Sequence, residues 1–257
     1  GGNKTMEKNE SIQNGRIISR REMIVGAGAL AVGAAVARLG LTDAVAKELP
    51  AKDPYVKLDP EDIGERAYQS WYKGFCSYAV ADAILGTLQD RVGEPYTALP
   101  ILNMSKWGYG GGVGWGTMCG CLIGTGIVTG VIAGQEGEAI FNEVIHWYSE
   151  NELPAYKPKN PKLPGYTPVR TKSDSPLCHV STNRWTKKSG FAKPTPQRKD
   201  RCARLVAETA MQTAMQLNDW ADGKFKKKHE FQLAIFGTTT QSNCMDCHGT
   251  NVPKVPR

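Results

Sequence analysis

The chain has 257 residues, and its 32 Lys and Arg outnumber 25 Asp and Glu to give a formal charge of +7. That length suits one compact domain with an appendage, and the basic excess is spread over loops without interleaved aromatics, which argues against nucleic-acid binding. No run in the body is long and charge-free enough for a stable membrane anchor; the Gly-rich segment from Val113 to Ala133 comes nearest.

Near the start, Arg20-Arg21 precede Met23-Ile24-Val25, a short Gly/Ala-rich apolar stretch and the small-x-small triplet Ala44-Val45-Ala46. A charged start, a brief apolar middle and an Ala-x-Ala end make an export signal. The arginine pair points to the twin-arginine route, so residues 1–46 are expected to be removed and the protein to be periplasmic. Taking away the six basic and four acidic residues of that segment leaves a charge of +5.

The body, residues 47–221, reads as mainly α-helical with Gly- and Pro-rich connectors. From Asp62 to about Asp90, Ala67, Trp71, Phe75, Tyr78, Ala81, Leu85 and Leu88 recur at three- and four-residue spacing, predicting an amphipathic helix with Cys76 in its middle. "VGEPYTALP" breaks it. "WGYGGGVGWGTMCGCLIGTGIVTGVIAG" begins as a glycine loop and continues as a helix of small residues, suited to close backbone approach. A third helix carries Ala139, Ile140, Val144 and Trp147 on one side and ends by Pro154. The proline-rich stretch that follows is an extended connector, and Cys178 is placed on a loop. A fourth helix spans Arg198–Trp220 with Cys202, Val206, Ala210, Leu217 and Trp220 along one stripe.

The irregular C-terminal segment, residues 222–257, contains "CMDCH". Cys244 and Cys247 have the spacing to add across the two vinyl groups of haem, and His248 follows to coordinate the iron. A zinc knuckle would want a second Cys pair nearby, and "GTNVPKVPR" supplies none. The expectation is one covalent haem c.

Seven cysteines, an odd number, cannot all pair within the chain, and an exported protein keeps spare thiols best as cofactor ligands. Cys76, Cys119 or Cys121, Cys178 and Cys202 are too dispersed for a local finger, so any shared site is assembled by folding. Four thiolates can hold a [2Fe–2S] or [4Fe–4S] cluster or a zinc ion; beside a haem, iron is the better choice.

Cys76, the Gly-Cys-x-x-Gly of Gly120–Gly124, Cys178 and Cys202, in that order, resemble the redox-active protein family named for a Cys…Gly-Cys-x-x-Gly…Cys…Cys pattern. With the export signal and terminal haem site, the whole is similar to the split-Soret cytochromes c. The resemblance implies a homodimeric, mostly helical electron carrier with an iron–sulfur cluster in the body, of the [2Fe–2S] type, and haems of two chains close together. Carried over residue by residue, it implies Cys76, Cys119, Cys178 and Cys202 as cluster ligands, with Cys121 as the alternative to Cys119.

For the distal haem ligand, His229 shares the tail segment with the anchor and is the first choice; Met211 and Met215 are its rivals, or a partner chain supplies the ligand. His179 adjoins the cluster region, and His146 reads as an ordinary, partly exposed residue. No catalytic triad, carboxylate pair or nucleotide loop is visible. The expected function is therefore electron transfer with periplasmic redox proteins, against a haem oxidoreductase reducing a small oxidant or a thiol-redox protein.

Overall fold

The computed structural model describes residues 54–98 and 100–230. Asp59 opens the first helix, α1 (Pro60–Ala81): its carboxylate accepts from Glu61 N at 2.9 Å and Asp62 N at 3.1 Å, with Pro60 ready-set at the first helical position. Such a cap is worth about 1 kcal/mol. A π-turn over Asp82–Gly86 continues into α2 (Thr87–Arg91), and a short α3 (Ile101–Met104) precedes the glycine loop. Then come α4 (Gly120–Ala133), α5 (Gly137–Glu150), a two-stranded antiparallel ribbon of β1 (Glu152–Leu153) and β2 (Thr171–Lys172), α6 (Cys178–Ser189) and α7 (Pro196–Ala221). The fold is mainly α.

The core lies where α1 runs along α7, with α4 packed against both and α5 against α4 and α7. The stripe expected on α7 is buried throughout: Cys202, Val206, Ala210, Leu217 and Trp220 are all 8% exposed or less. Glycines set how closely α4 approaches α1. A Cβ on Gly120 would stand 2.3 Å from Gly108 O and 2.6 Å from Cys76 Cβ; one on Gly124 would meet Ser77 O at 2.7 Å. Backbone cannot yield as a flexible side chain can, so overpacking outweighs alanine's higher helix propensity. Gly120→Ala and Gly124→Ala are expected to cost about 1–3 kcal/mol in chemical denaturation. Gly130→Ala, on the same helix with nothing within 4 Å of the added methyl, should instead stabilise by up to about 1 kcal/mol.

The connector between β1 and β2 is pinned by charged side chains. Glu65 of α1 accepts from Lys159 N (2.8 Å) and Tyr156 Oη (3.0 Å), and Glu208 of α7 accepts from Ala155 N (2.7 Å). Beneath it, the buried Asp200 carboxylate takes Arg204 Nε at 2.6 Å, and Arg204 also donates to Tyr156 O and Tyr166 O.

Three expectations need correction. Phe75 does not join the buried stripe of α1; it is 47% exposed. Its backbone leaves the helical region (φ 64°, ψ −160°), which shifts the helical phase just before Cys76. Cys178 is not on a loop but opens α6, a helix whose polar sequence buries only Ser181 and Trp185 and so carries little apolar periodicity. His146 is not partly exposed but buried, at 4%. The export signal, with Arg20 and Arg21, and the haem anchor of Cys244, Cys247 and His248 lie outside the described residues. Among the described residues no helix is long and apolar enough to cross a membrane.

Candidate metal centre

Two chain segments zip together to build one half of the centre. Cys119 N donates to Pro176 O (2.8 Å), Cys178 N to Thr117 O (2.7 Å) and His179 N to Gly116 O (3.0 Å). Cys119 is thereby fixed just before α4 and Cys178 at the first position of α6, both at helix N-termini, where the peptide dipoles favour a thiolate. The other half comes from the packed pair α1 and α7, which carry Cys76 and Cys202.

Cys76, Cys119, Cys178 and Cys202 all line one cavity of about 440 Å³. Cys121 does not line it. It sits fully buried behind Cys119, with the two sulfurs 3.4 Å apart. Among the described residues the cysteines form no disulfide.

Each of the four cavity thiols has its own polar neighbour. Trp71 Nε1 donates to Cys76 Sγ at 3.3 Å, and the Gly110 amide also serves that sulfur. Thr182 Oγ1 lies 3.9 Å from Cys178 Sγ, and Arg198 and Arg201 reach Cys202 Sγ at 3.8 and 3.9 Å. The buried Tyr148 hydroxyl lies beside Cys119 without completing a hydrogen bond. Burial, reinforced by Cys202, pushes the Cys76 thiol up to about 12. Hydrogen-bond sharing with Cys121 raises Cys119, and sharing with Cys119, together with burial, raises Cys178. As bare thiols Cys76, Cys119 and Cys178 therefore hold their protons, and a bound cation has to displace them.

The cavity is electropositive. Lys193, Arg198, Lys199 and Arg201 line it, and among the described residues no Asp or Glu does. Arg201 is the telling member. It is 2% exposed, donates to Ser181 Oγ at 2.8 Å, leaves its Nε unpartnered and pairs with no carboxylate among the described residues. An uncompensated buried charge costs about 3–5 kcal/mol. Four thiolates around a metal centre carry the negative charge that this guanidinium lacks, so the donor set and its surroundings fit such a group. Sequence reasoning missed Trp71, Tyr148, Thr182 and Arg201; only Arg201, adjacent to Cys202, carried any local signal.

A second cluster of ligand-type groups forms where the segment after α7 meets α5. The His146 and His229 rings stack flat, with centroids 4.0 Å apart and 7° between planes. His146 Nδ1 lies 3.6 Å from Glu150, and His229 Nδ1 lies 2.8 Å from Glu143 Oε2. Glu143, itself buried, also accepts from Lys228 N (2.7 Å) and His229 N (2.8 Å). Desolvation opposes its charge, but those amides and His229 outweigh it and hold the carboxyl below its ordinary value. This latch is therefore complete above the ordinary carboxylate range and is lost as pH falls through the depressed value. Glu143→Ala is expected to release the chain around Lys228 and speed tryptic cleavage there at least tenfold or so, read by mass spectrometry of timed digests. Of the other distal-ligand candidates, Met211 packs its sulfur against Gly64, whereas Met215 is 42% exposed. His179 stands at the cavity rim, bonded to Asn183.

A family model described as "Putative redox-active protein (C_GCAxxG_C_C)" matches residues 75–216, a span that contains all five described cysteines. The split-Soret cytochrome c of Desulfovibrio desulfuricans is 34% identical over 253 residues, covering 91% of this chain and 88% of the relative. A solved structure of split-Soret cytochrome c from the same organism, described as containing a novel iron centre, matches with a TM-score of 0.63 and 30% identity. That match covers 78% of this chain and 85% of the other. The chain is a redox protein of the C_GCAxxG_C_C family and a homologue of split-Soret cytochrome c.

Proposed function

We propose that this protein is a periplasmic electron carrier, exported by the twin-arginine signal in residues 1–46, with an iron–sulfur cluster in the body and one covalent haem c in the segment 222–257. The observation that carries the reading is the convergence of Cys76, Cys119, Cys178 and Cys202 on a single cavity lined by a buried arginine that pairs with no carboxylate among the described residues. When bound, the cluster and the haem each supply a one-electron redox step. The protein's own residues hold the centre and screen it from water: Trp71 and Leu205 wall the cavity and Arg201 balances its charge.

Four thiolates suit iron or zinc alike; beside a haem, iron is the better choice.

Cys244 and Cys247 are the proposed haem attachment points and His248 the proximal ligand. His229 remains the proposed distal ligand: a proton on Nδ1, donated to Glu143, leaves the lone pair on Nε2, the tautomer that metal-bound histidines use. A single chain has one such anchor, so haems lying close together require a homodimer, as the relative's name suggests through its divided absorption band. Haem staining after denaturing electrophoresis tests the attachment. Cys244→Ala and Cys247→Ala should each lose covalent haem, and wild-type protein unstained after expression with working maturation machinery would remove the haem from the account.

A further inference from the structure

The mouth of the cysteine cavity presents large aromatic side chains to solvent. Trp115 is 83% exposed, Phe75 47% and Tyr109 38%, and all three line the cavity. Their presentation is built in. Phe75 holds a left-handed backbone angle that a bulky residue adopts only under strain, and it turns that ring outward beside Cys76. Trp115 rides on the glycine loop, where Gly110, Gly111, Gly112, Gly114 and Gly116 all have positive φ. Val113 N→Trp107 O (2.8 Å), Gly116 N→Gly110 O (2.9 Å) and Thr117 N→Gly111 O (3.1 Å) staple that loop to itself. Exposing such aromatic area forgoes about 25 cal/mol per Å² that burial would return. A rigid aromatic centre of this kind is characteristic of binding surfaces.

The rim around it is cationic. Lys193, Arg198 and Lys199 line the same mouth, and among the described residues none of them is paired with a carboxylate. This charge selects the occupant. The protein's own segment 231–257 carries Lys254 and Arg257 against Asp246, and residues 1–53 are also net basic, so neither complements the rim. A second copy seated face to face about a two-fold axis would bring like-charged rims together, which is destabilising.

We propose that this mouth is the docking face for an acidic electron-carrier protein, which covers Trp115 and Phe75 and sets its carboxylates against Lys193, Arg198 and Lys199. The inference rests on reading the cavity as the redox centre. Docking there brings the partner's cofactor toward the cysteines through Phe75 and Trp71, whose rings touch edge to face with centroids 5.4 Å apart. A small aromatic centre with a charged rim suits the brief, salt-sensitive encounters of electron transfer.

Holoprotein titrated calorimetrically with oxidised flavodoxin, a small acidic carrier, tests the face; basic cytochrome c is the control. At about 20 mM ionic strength flavodoxin should bind and cytochrome c should not, and raising the salt to about 200 mM should weaken binding at least tenfold. Lys193→Glu with Lys199→Glu, and separately Trp115→Ala, should each weaken it by about tenfold or more; all three positions are exposed, so folding is spared. Absence of flavodoxin binding, or binding equal in wild type and variants, overturns the proposal. So does conversion of a dimer to a monomer by Trp115→Ala in sedimentation, which would assign the face to a second copy. Iron and sulfide measured on the same samples keep the two readings apart. Variant-sensitive docking without a cluster sinks the cluster reading alone, and a full cluster with insensitive docking sinks the docking face alone.

Discussion

Alanine at Cys76, Cys119, Cys178 or Cys202, one position at a time, is expected to cut iron and acid-labile sulfide to less than about a tenth of wild type, whereas Cys121→Ala should keep both nearly intact. The contrast follows from position. The first four thiols face one cavity, and Cys121 stands behind Cys119 with its sulfur directed at that thiol rather than at the cavity. Their helices meet only in the folded body, so losing a ligand also weakens folding. Each of the four variants should melt earlier than wild type when both are prepared with the metal loaded, and the differences should shrink once the metal is stripped from all samples. Cys121→Ala removes a buried thiol of modest volume, so it should cost no more than a small core truncation in either state. Iron and sulfide retained after Cys119→Ala but lost after Cys121→Ala would exchange the two assignments.

Arg201→Met is expected to act with opposite sign on the loaded and the empty protein. Reduction adds a negative charge to the centre, and a buried guanidinium 3.9 Å from the Cys202 sulfur stabilises the reduced state more than the oxidised one. Its loss should therefore lower the reduction potential, by about 59 mV for each 1.4 kcal/mol by which the guanidinium favours the reduced over the oxidised state. In the metal-free protein the same cation is an uncompensated buried charge, and replacing it with an apolar side chain of similar length should stabilise the fold. A potential titration followed by paramagnetic resonance checks the first sign, and denaturant unfolding of metal-free protein the second. A merely structural Arg201 would leave the potential where it was. Trp71→Phe, which removes the 3.3 Å bond to Cys76, should lower the potential in the same direction by a smaller amount.

Much of this architecture was legible in the residues because apolar periodicity reports packing directly. Leu85, Leu88 and the α7 stripe from Cys202 to Trp220 recur at helical spacing and are buried. The glycines of the Gly-Cys-x-x-Gly segment announced a close approach, and the structure identifies the neighbours as Gly108, Ser77 and Cys76. What stayed hidden depends on contacts between distant segments or on single backbone angles. Phe75 looks like a core residue until its positive φ turns it outward. Cys178 looks like a loop residue because α6 is mostly polar and amphipathic only through Ser181 and Trp185. His146 looks exposed because nothing in its neighbours foretells that His229, eighty-three positions later, stacks on its ring. The choice between Cys119 and Cys121 is of the same kind: two residues apart in sequence, they differ in which side of α4's first turn faces the cavity.

Metal and sulfide analysis of the purified Cys244→Ala/Cys247→Ala variant, in which haem iron cannot contribute, separates the iron–sulfur cluster proposed for the body from any haem. About two iron and two acid-labile sulfide per chain are expected, the content of a [2Fe–2S] centre. Zinc in place of iron, or iron without sulfide, would rule that cluster out.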